Sequence, residues 1–341
     1  DDICALLYSS GTTGTPKGIP LTHDNLHSNA LALRAAWGFT RDDVLLHALP
    51  LFHVHGLFIT LNTALLAGMR LRFLPRFDAQ AVSAALPGAT VFAGVPTYYT
   101  RLLALAEFDR ARCRTMRLFI SGSAPLQEST FHEFTARTGH VILERYGMTE
   151  TGINASNPLT GARKPAAVGP ALASVELRIV DADGDAVAAG EIGEIEVRGP
   201  NVFKGYWNLP EQSATAFSAD GFFHTGDQGR FDTDGYLYIV GRSKDMIISG
   251  GLNVYPKEIE SELEQLPGVV EAAVIGVPHA DFGEAVVAAV LAAPDARIDE
   301  HATIATLRAR LAGYKLPKRV LVLDDLPRNA MGKVQKTLLR E

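Results

Sequence analysis

Cysteine is scarce in this chain of 341 residues, which has only Cys4 and Cys113. Two thiols make neither a disulfide framework nor a ligand cluster, and they fit a reducing compartment. Aromatic residues are 8% and charged residues 21%, beside 47% hydrophobic residues, a balance that excludes disorder and fits an ordinary globular protein. There is no positive excess: the net charge is −6. Nucleic acid and anionic membrane therefore drop out as main partners. Long apolar runs are missing as well. The most apolar stretch, Gly56–Met69, is broken by Thr60, Asn62 and Thr63, short of the ~20 residues a spanning helix needs. No repeat, low-complexity tract, signal or transit segment is legible. The chain opens on Asp1-Asp2 rather than Met, so the expectation is a fragment without its natural N-terminal part.

What is present begins with Tyr8-Ser9-Ser10-Gly11-Thr12-Thr13-Gly14-Thr15-Pro16-Lys17-Gly18. Glycines let backbone N–H groups approach an anion, the hydroxyls add donors, and Lys17 adds a compact positive charge. This composition predicts a phosphate cradle. It is not a Walker A loop, because Pro16 precedes Lys17 and Gly18 follows it where Ser or Thr would stand.

The length predicts two domains. Ile3–Leu7, Val44–Leu49, Leu71–Leu74, Thr90–Val95, Leu118–Ile120 and Val141–Leu143 read as buried strands. The spacing predicts helices over Leu57–Leu66, Ala79–Leu86, Thr97–Ala106 and Leu126–Thr138. Alternation of this kind gives an α/β fold with a parallel sheet wrapped by helices. Short strands at Val175–Val180, Gly193–Arg198 and Gly235–Val240, set between Gly and Asp turns, predict an antiparallel β subdomain. A small α+β domain follows: a strand at Met246–Ile248, a helix starting at Pro256 with Ile259, Leu263 and Leu266 on one face, and strands over Val269–Val277 and Glu284–Ala292. A helix from Glu300 to Leu311 and a strand at Arg319–Leu323 complete it. The expected division is residues 1–241 and 242–341.

The motifs occur in a telling order. Tyr8–Gly18 is followed by Glu144-Arg145-Tyr146-Gly147-Met148-Thr149-Glu150-Thr151, His224-Thr225-Gly226-Asp227, Gly241-Arg242 and Pro327-Arg328-Asn329-Ala330-Met331-Gly332-Lys333. In these motifs the chain resembles, over essentially its whole length, the acyl-adenylate-forming (AMP-binding) enzymes, in the acyl-CoA synthetase branch. His47–Gly56, Gly94–Leu102, Ser121–Leu126 and Gly251–Glu258 are similar to stretches of bacterial malonyl-CoA synthetases.

The resemblance implies ATP-dependent ligation of malonate to coenzyme A through malonyl-AMP, with ATP, Mg²⁺ and CoA taking part. By the same resemblance, Thr12, Thr13, Gly14 and Lys17 hold the phosphates. Glu150 binds the metal, with Thr149 near the α-phosphate. Gly122, Ser123 and Ala124 bracket the adenine with Tyr146 and Gly147, while Asp227 and Arg242 support the ribose. Lys333, on a flexible loop of a mobile C-terminal domain, serves adenylation, and Lys244 is the pivot of that domain. Ser249, Gly250 and Gly251 line the CoA tunnel. Arg101, assisted by Ser123, holds the second carboxylate, and His53 walls or gates the pocket; His55 is the weaker candidate.

Competing expectations are methylmalonate or another short or medium-chain acid, an adenylation domain loading a carrier protein, and an inactive ATP-binding fragment. The expected location is cytoplasmic. Loss of charge by acylation makes Lys333 a candidate for a protein lysine acetyltransferase and deacetylase.

Overall fold

A computed structural model of the chain describes residues 1–9, 16–329 and 332–340. Contacts divide it into two units, Asp1–Thr225 with Arg230–Ile239, and Gly226–Gly229 with Val240–Glu341. Sequence reading sets the division after Gly241. The contacts set it at Val240 and add Gly226–Gly229, because two neighbouring strands, Phe223–Phe231 and Leu237–Arg242, both run across it.

The first unit opens with β1 (Ile3–Ser9) and β2 (Lys17–Thr22), paired antiparallel as a sheet of two. β1 is not the buried strand its apolar run predicts. Ile3, Leu6 and Tyr8 are exposed, since β2 is its only partner among the described residues. Helix α1 (His23–Ala36) was not legible as a periodic run, yet its start carries a capping box in which Thr22 and Asn25 satisfy each other's backbone.

Then come β3 (Val44–His47), a π-helix at His55–Asn62, α2 (Thr63–Leu66), β4 (Arg70–Phe73), α3 (Ala79–Ala85), β5 (Val91–Gly94) and α4 (Pro96–Leu103). β6 (Leu118–Ser121), α5 (Glu128–Thr138), β7 (Leu143–Met148) and β8 (Gly152–Ser156) follow. They form a six-stranded sheet of order β4-β3-β5-β6-β7-β8, parallel except for β8. β4 is an edge strand with exposed side chains, not a buried one. The predicted helix over Leu57–Leu66 is wound as a π-helix for its first part. Thr60 Oγ1 donates there to the carbonyls of His55 and Gly56, competing with the regular ladder. Phe92, Tyr99, Phe119 and Phe134 pack edge to face in the core beneath the helices.

β9 (Ala167–Gly169), β10 (Glu176–Val180), β11 (Gly193–Arg198), α6 (Pro210–Ala214), β12 (Phe223–Phe231) and β13 (Leu237–Arg242) supply the antiparallel sheet, in the order β10-β11-β12-β13-β9.

In the second unit, β14 (Ile247–Ser249) and β15 (Leu252–Val254) form a hairpin. They are followed by α7 (Pro256–Glu264), β16 (Val269–His279), β17 (Gly283–Ala292), α8 (Glu300–Leu307) and β18 (Arg319–Leu323). The long β16–β17 pair is covered by Ile259, Leu263, Leu307 and Leu311. α8 stops at Leu307, four residues before the expected end, while Leu311 still reaches the core from the turn beyond.

Candidate active site

In the first unit, the loops after parallel strands β3, β5, β6 and β7 all leave the same edge of the six-stranded sheet, the carboxyl edge where open α/β sheets bind ligands. β3 feeds the segment with His53 and His55, β5 feeds α4 with Arg101, β6 feeds Gly122–Ala124, and β7 feeds Thr149 and Glu150.

These loops are tied together. Gly122 N donates to Gly94 O at 3.3 Å. Ser123 takes a left-handed backbone, φ 72°, uncommon for a residue with a side chain. Its Oγ lies 3.0 Å from His55 Nδ1. His55 N donates to His53 Nδ1 at 3.2 Å, so a neutral His53 carries its proton on Nε2. His55 is thus the histidine that holds Ser123, although His53 is the stronger candidate by sequence. Burial lowers the pKa of both rings, His55 the more, and the nearby Arg145 guanidinium adds to it. Both imidazoles are neutral at pH 7.

Arg145, at the centre of this cluster, has no role in the sequence reading. It is 5% exposed, and its Nε and Nη2 have no hydrogen-bond partner among the described residues. Burial pulls its pKa down. Gly122 lets it in, since a Cβ at that position would collide with the guanidinium. A buried cation with two donors unmet among the described residues is costly. Arg101, the sequence candidate for that task, lies exposed in α4 beside Tyr98.

A second corner of the same unit concerns phosphate and metal. Thr12, Thr13 and Gly14 lie outside the described residues. Lys17 opens β2, with its Nζ 4.6 Å from the centre of the Tyr206 ring. Tyr206 donates its hydroxyl to Glu150 Oε1 at 3.4 Å. Glu150 is buried, and Thr149 half-buried, in the turn after β7. Tyr146 is buried near the end of β7, with Gly147 next to it. No cluster of three or more His, Cys, Asp or Glu able to hold a metal occurs among the described residues. A single buried carboxylate beside a lysine fits Mg²⁺ that arrives on a nucleotide, its other ligands being phosphate oxygens and water.

The second unit brings together three other sequence candidates. Asp227 Oδ1 lies 3.1 Å from Arg242 Nε. Lys333 lies close enough to both to feel their charges, and burial, with repulsion from Arg242, lowers its pKa to about 8 against the pull of Asp227 and Asp245. The described part of its loop is held rather than loose: Asn329 N donates to Lys333 O at 2.9 Å, and Lys333 N to Asn329 Oδ1 at 3.0 Å. Lys244 is exposed in a single helical turn, Ser243–Asp245. Gly250 and Gly251 form the β14–β15 turn with φ of 60° and 78°, the pair of left-handed positions a tight hairpin requires. Gly250 N donates to Phe282 O at 2.9 Å, and Ser249 is buried beside them.

The model of the AMP-binding enzyme family matches residues 1–207, and that of the AMP-binding enzyme C-terminal domain residues 258–333. A malonate–CoA ligase of Arabidopsis thaliana is 42% identical over all of this chain and 61% of its own length. The crystal structure of ATP-bound MatB from Rhodopseudomonas palustris superposes with a TM-score of 0.98 at 56% identity, covering 100% of this chain and 68% of that one. A malonyl-CoA ligase in a ternary product complex with methylmalonyl-CoA and AMP gives a TM-score of 0.68 at 42% identity, covering 96% of this chain and 72% of that one. The chain therefore spans about three fifths of the length of the plant relative it matches.

Proposed function

The chain belongs to the AMP-binding enzyme family, and from that premise we propose that it carries the machinery of an ATP-dependent malonate–CoA ligase. One observation supports the choice of acid above the others. Arg145 is a desolvated guanidinium with unmade hydrogen bonds beside Gly122 and Ser123. A pocket for an uncharged acyl chain needs only apolar lining. A pocket for a second carboxylate needs a fixed, two-pronged cation.

In the proposed reaction, one malonate carboxylate oxygen attacks the α-phosphorus of ATP and the bond to pyrophosphate breaks. The CoA sulfur then attacks the acyl carbon of malonyl-AMP, and AMP leaves. Two anions meet in the first step, so catalysis is mainly positioning and charge neutralisation. Lys17, with Thr12, Thr13 and Gly14, cradles the β- and γ-phosphates. Glu150 holds Mg²⁺, which when bound neutralises phosphate charge, and Thr149 donates near the α-phosphate. Gly122–Ala124, Tyr146 and Gly147 border the adenine. Asp227 accepts from the ribose hydroxyls, oriented by Arg242. Arg145, joined by Arg101 and Ser123, holds the distal carboxylate.

Lys333 bridges the incoming carboxylate and the α-phosphate as an ammonium ion. Acylation of this amine by a lysine acetyltransferase would remove its charge and silence adenylation. Lys244 is the pivot about which residues 242–341 reorient for thioester formation, when Ser249–Gly251 admit the thiol. The free Cys4 and Cys113 suit a cytoplasmic setting. No helix among the described residues is long and apolar enough to cross a membrane.

The test is pyrophosphate release across malonate, methylmalonate, acetate, butyrate and benzoate, with and without CoA. Malonate should lead by orders of magnitude over the monocarboxylates. Equal turnover of butyrate would remove malonate from the reading, and no release with any acid would leave an inactive ATP-binding fragment.

A further inference from the structure

The segment Phe203–Trp207 is stapled at both ends to the parts that the proposed function gives to the nucleotide. Phe203 N donates to Glu150 O at 2.8 Å, and Trp207 N donates to Gly18 O at 2.8 Å. Between these anchors stands Tyr206, packed edge-on against Phe203 with ring centres 4.9 Å apart. Its ring face takes the Lys17 ammonium at 4.6 Å, and its hydroxyl reaches Glu150 Oε1 at 3.4 Å. One side chain thus meets a cation with its electron-rich face and an anion with its only donor. Lys17 and Glu150 are 133 residues apart in sequence, and no motif spacing would pair them.

We propose that Tyr206 is a positioning residue for Mg·ATP: its ring holds Lys17 and its hydroxyl orients Glu150, fixing the spacing between the phosphate-binding cation and the metal-binding carboxylate before the nucleotide arrives. The proposal rests on the functional reading above. The two halves of the side chain do separable work. The hydroxyl governs the metal-dependent part of nucleotide affinity, because a carboxylate that has lost this donor is less ordered when the ion binds. The ring governs the part that ATP keeps without metal, because it holds Lys17 where the phosphates land.

The experiment measures ATP affinity calorimetrically, with excess Mg²⁺ and with EDTA, for the parent chain, Tyr206→Phe and Tyr206→Leu. Tyr206→Phe keeps the ring and its packing. It should weaken Mg·ATP binding roughly tenfold, the loss of one hydrogen bond to a charged group, and leave ATP binding in EDTA unchanged. Tyr206→Leu should weaken ATP binding in EDTA as well, by about two- to fivefold. Thermal midpoints taken alongside separate lost positioning from lost folding. Parent-like Mg·ATP affinity in Tyr206→Phe overturns the proposal. So does an equal loss with Mg²⁺ and with EDTA in Tyr206→Phe, which marks a merely structural tyrosine. A parent chain that binds no ATP under either condition sinks the functional reading itself, and this assignment with it.

Discussion

His55 Nδ1 lies 3.0 Å from Ser123 Oγ, joining the loop after β3 to the loop after β6 across the carboxyl edge of the parallel sheet. The bond carries more than its own strength, because Ser123 has a left-handed backbone that strains any residue with a Cβ. His55 in turn begins the π-helix. Polar contact, strained serine and irregular helix lie together where the proposed function puts the acyl site.

His55→Ala should therefore impair malonate more than ATP. Losing one buried hydrogen bond predicts a rise in the malonate KM of roughly five- to thirtyfold, with the ATP KM within about twofold of the parent. His53→Ala, which removes only an acceptor for the His55 amide, should cost less. Steady-state kinetics on both substrates decide it, and an equal rise in both constants would place His55 in general packing.

Arg145 makes the sharper prediction, since function and stability should move in different directions. Replacing a buried, incompletely paired charge by an apolar side chain of similar volume is often neutral or stabilising. Arg145→Met should leave the thermal midpoint unchanged or raised. Malonate activity should fall by up to about 10⁴-fold, the scale seen when a site loses the partner that reads a polar group. A midpoint that drops together with activity would make Arg145 a structural cation instead.

In the proposed function, Lys333 would link pH to the first half-reaction. Its pKa is lowered to about 8 by burial and Arg242, so the ammonium needed to bridge two anions is lost as pH rises through that value. The apparent kcat/KM for pyrophosphate release, which reports the free enzyme, should fall above about pH 8. Lys333→Arg, charged throughout that range, should retain part of the activity and lose the alkaline limb. Stability runs the other way. The folded state binds fewer protons than the unfolded one between about pH 8 and the ordinary lysine pKa of 10.5, so this group's contribution to folding rises with pH over that window.

Much of the fold was legible because periodicity reports burial. Val91–Gly94 and Leu118–Ser121 are buried on both faces and read as apolar runs, as central parallel strands must. The same signal misleads at edges, where β1 and β4 keep apolar residues without a covering layer. Helix α1 escaped notice because its inward face includes Asn25 and Asn29, which bond to the backbone of distant segments rather than packing as apolar side chains. The site divides in the same way. Glu150, Asp227 and Lys333 sit in ordered motifs. Tyr206 is proposed to act through residues far away in sequence, and Arg145 lies inside a motif whose spelling does not say that its Nε and Nη2 are buried without a partner among the described residues.

The two arginines proposed for the distal carboxylate differ in solvent, and that difference separates their roles. Arg145 is buried, and Arg101 is exposed on α4. Salt screens exposed charges, with a Debye length of about 10 Å at 0.1 M and about 3 Å at 1 M, and screens buried ones far less. If Arg101 draws malonate in while Arg145 grips it, Arg101→Ala should lower malonate kcat/KM at low ionic strength. The deficit should shrink as salt rises toward about 0.5 M, chiefly because the parent slows. The deficit of Arg145→Met should persist across the same range. Acetate, with no second carboxylate, should show neither effect. A salt-independent loss in Arg101→Ala as large as that in Arg145→Met would mean instead that both guanidinium groups close on the bound carboxylate together. Their double variant would then fall well short of the sum of the single losses.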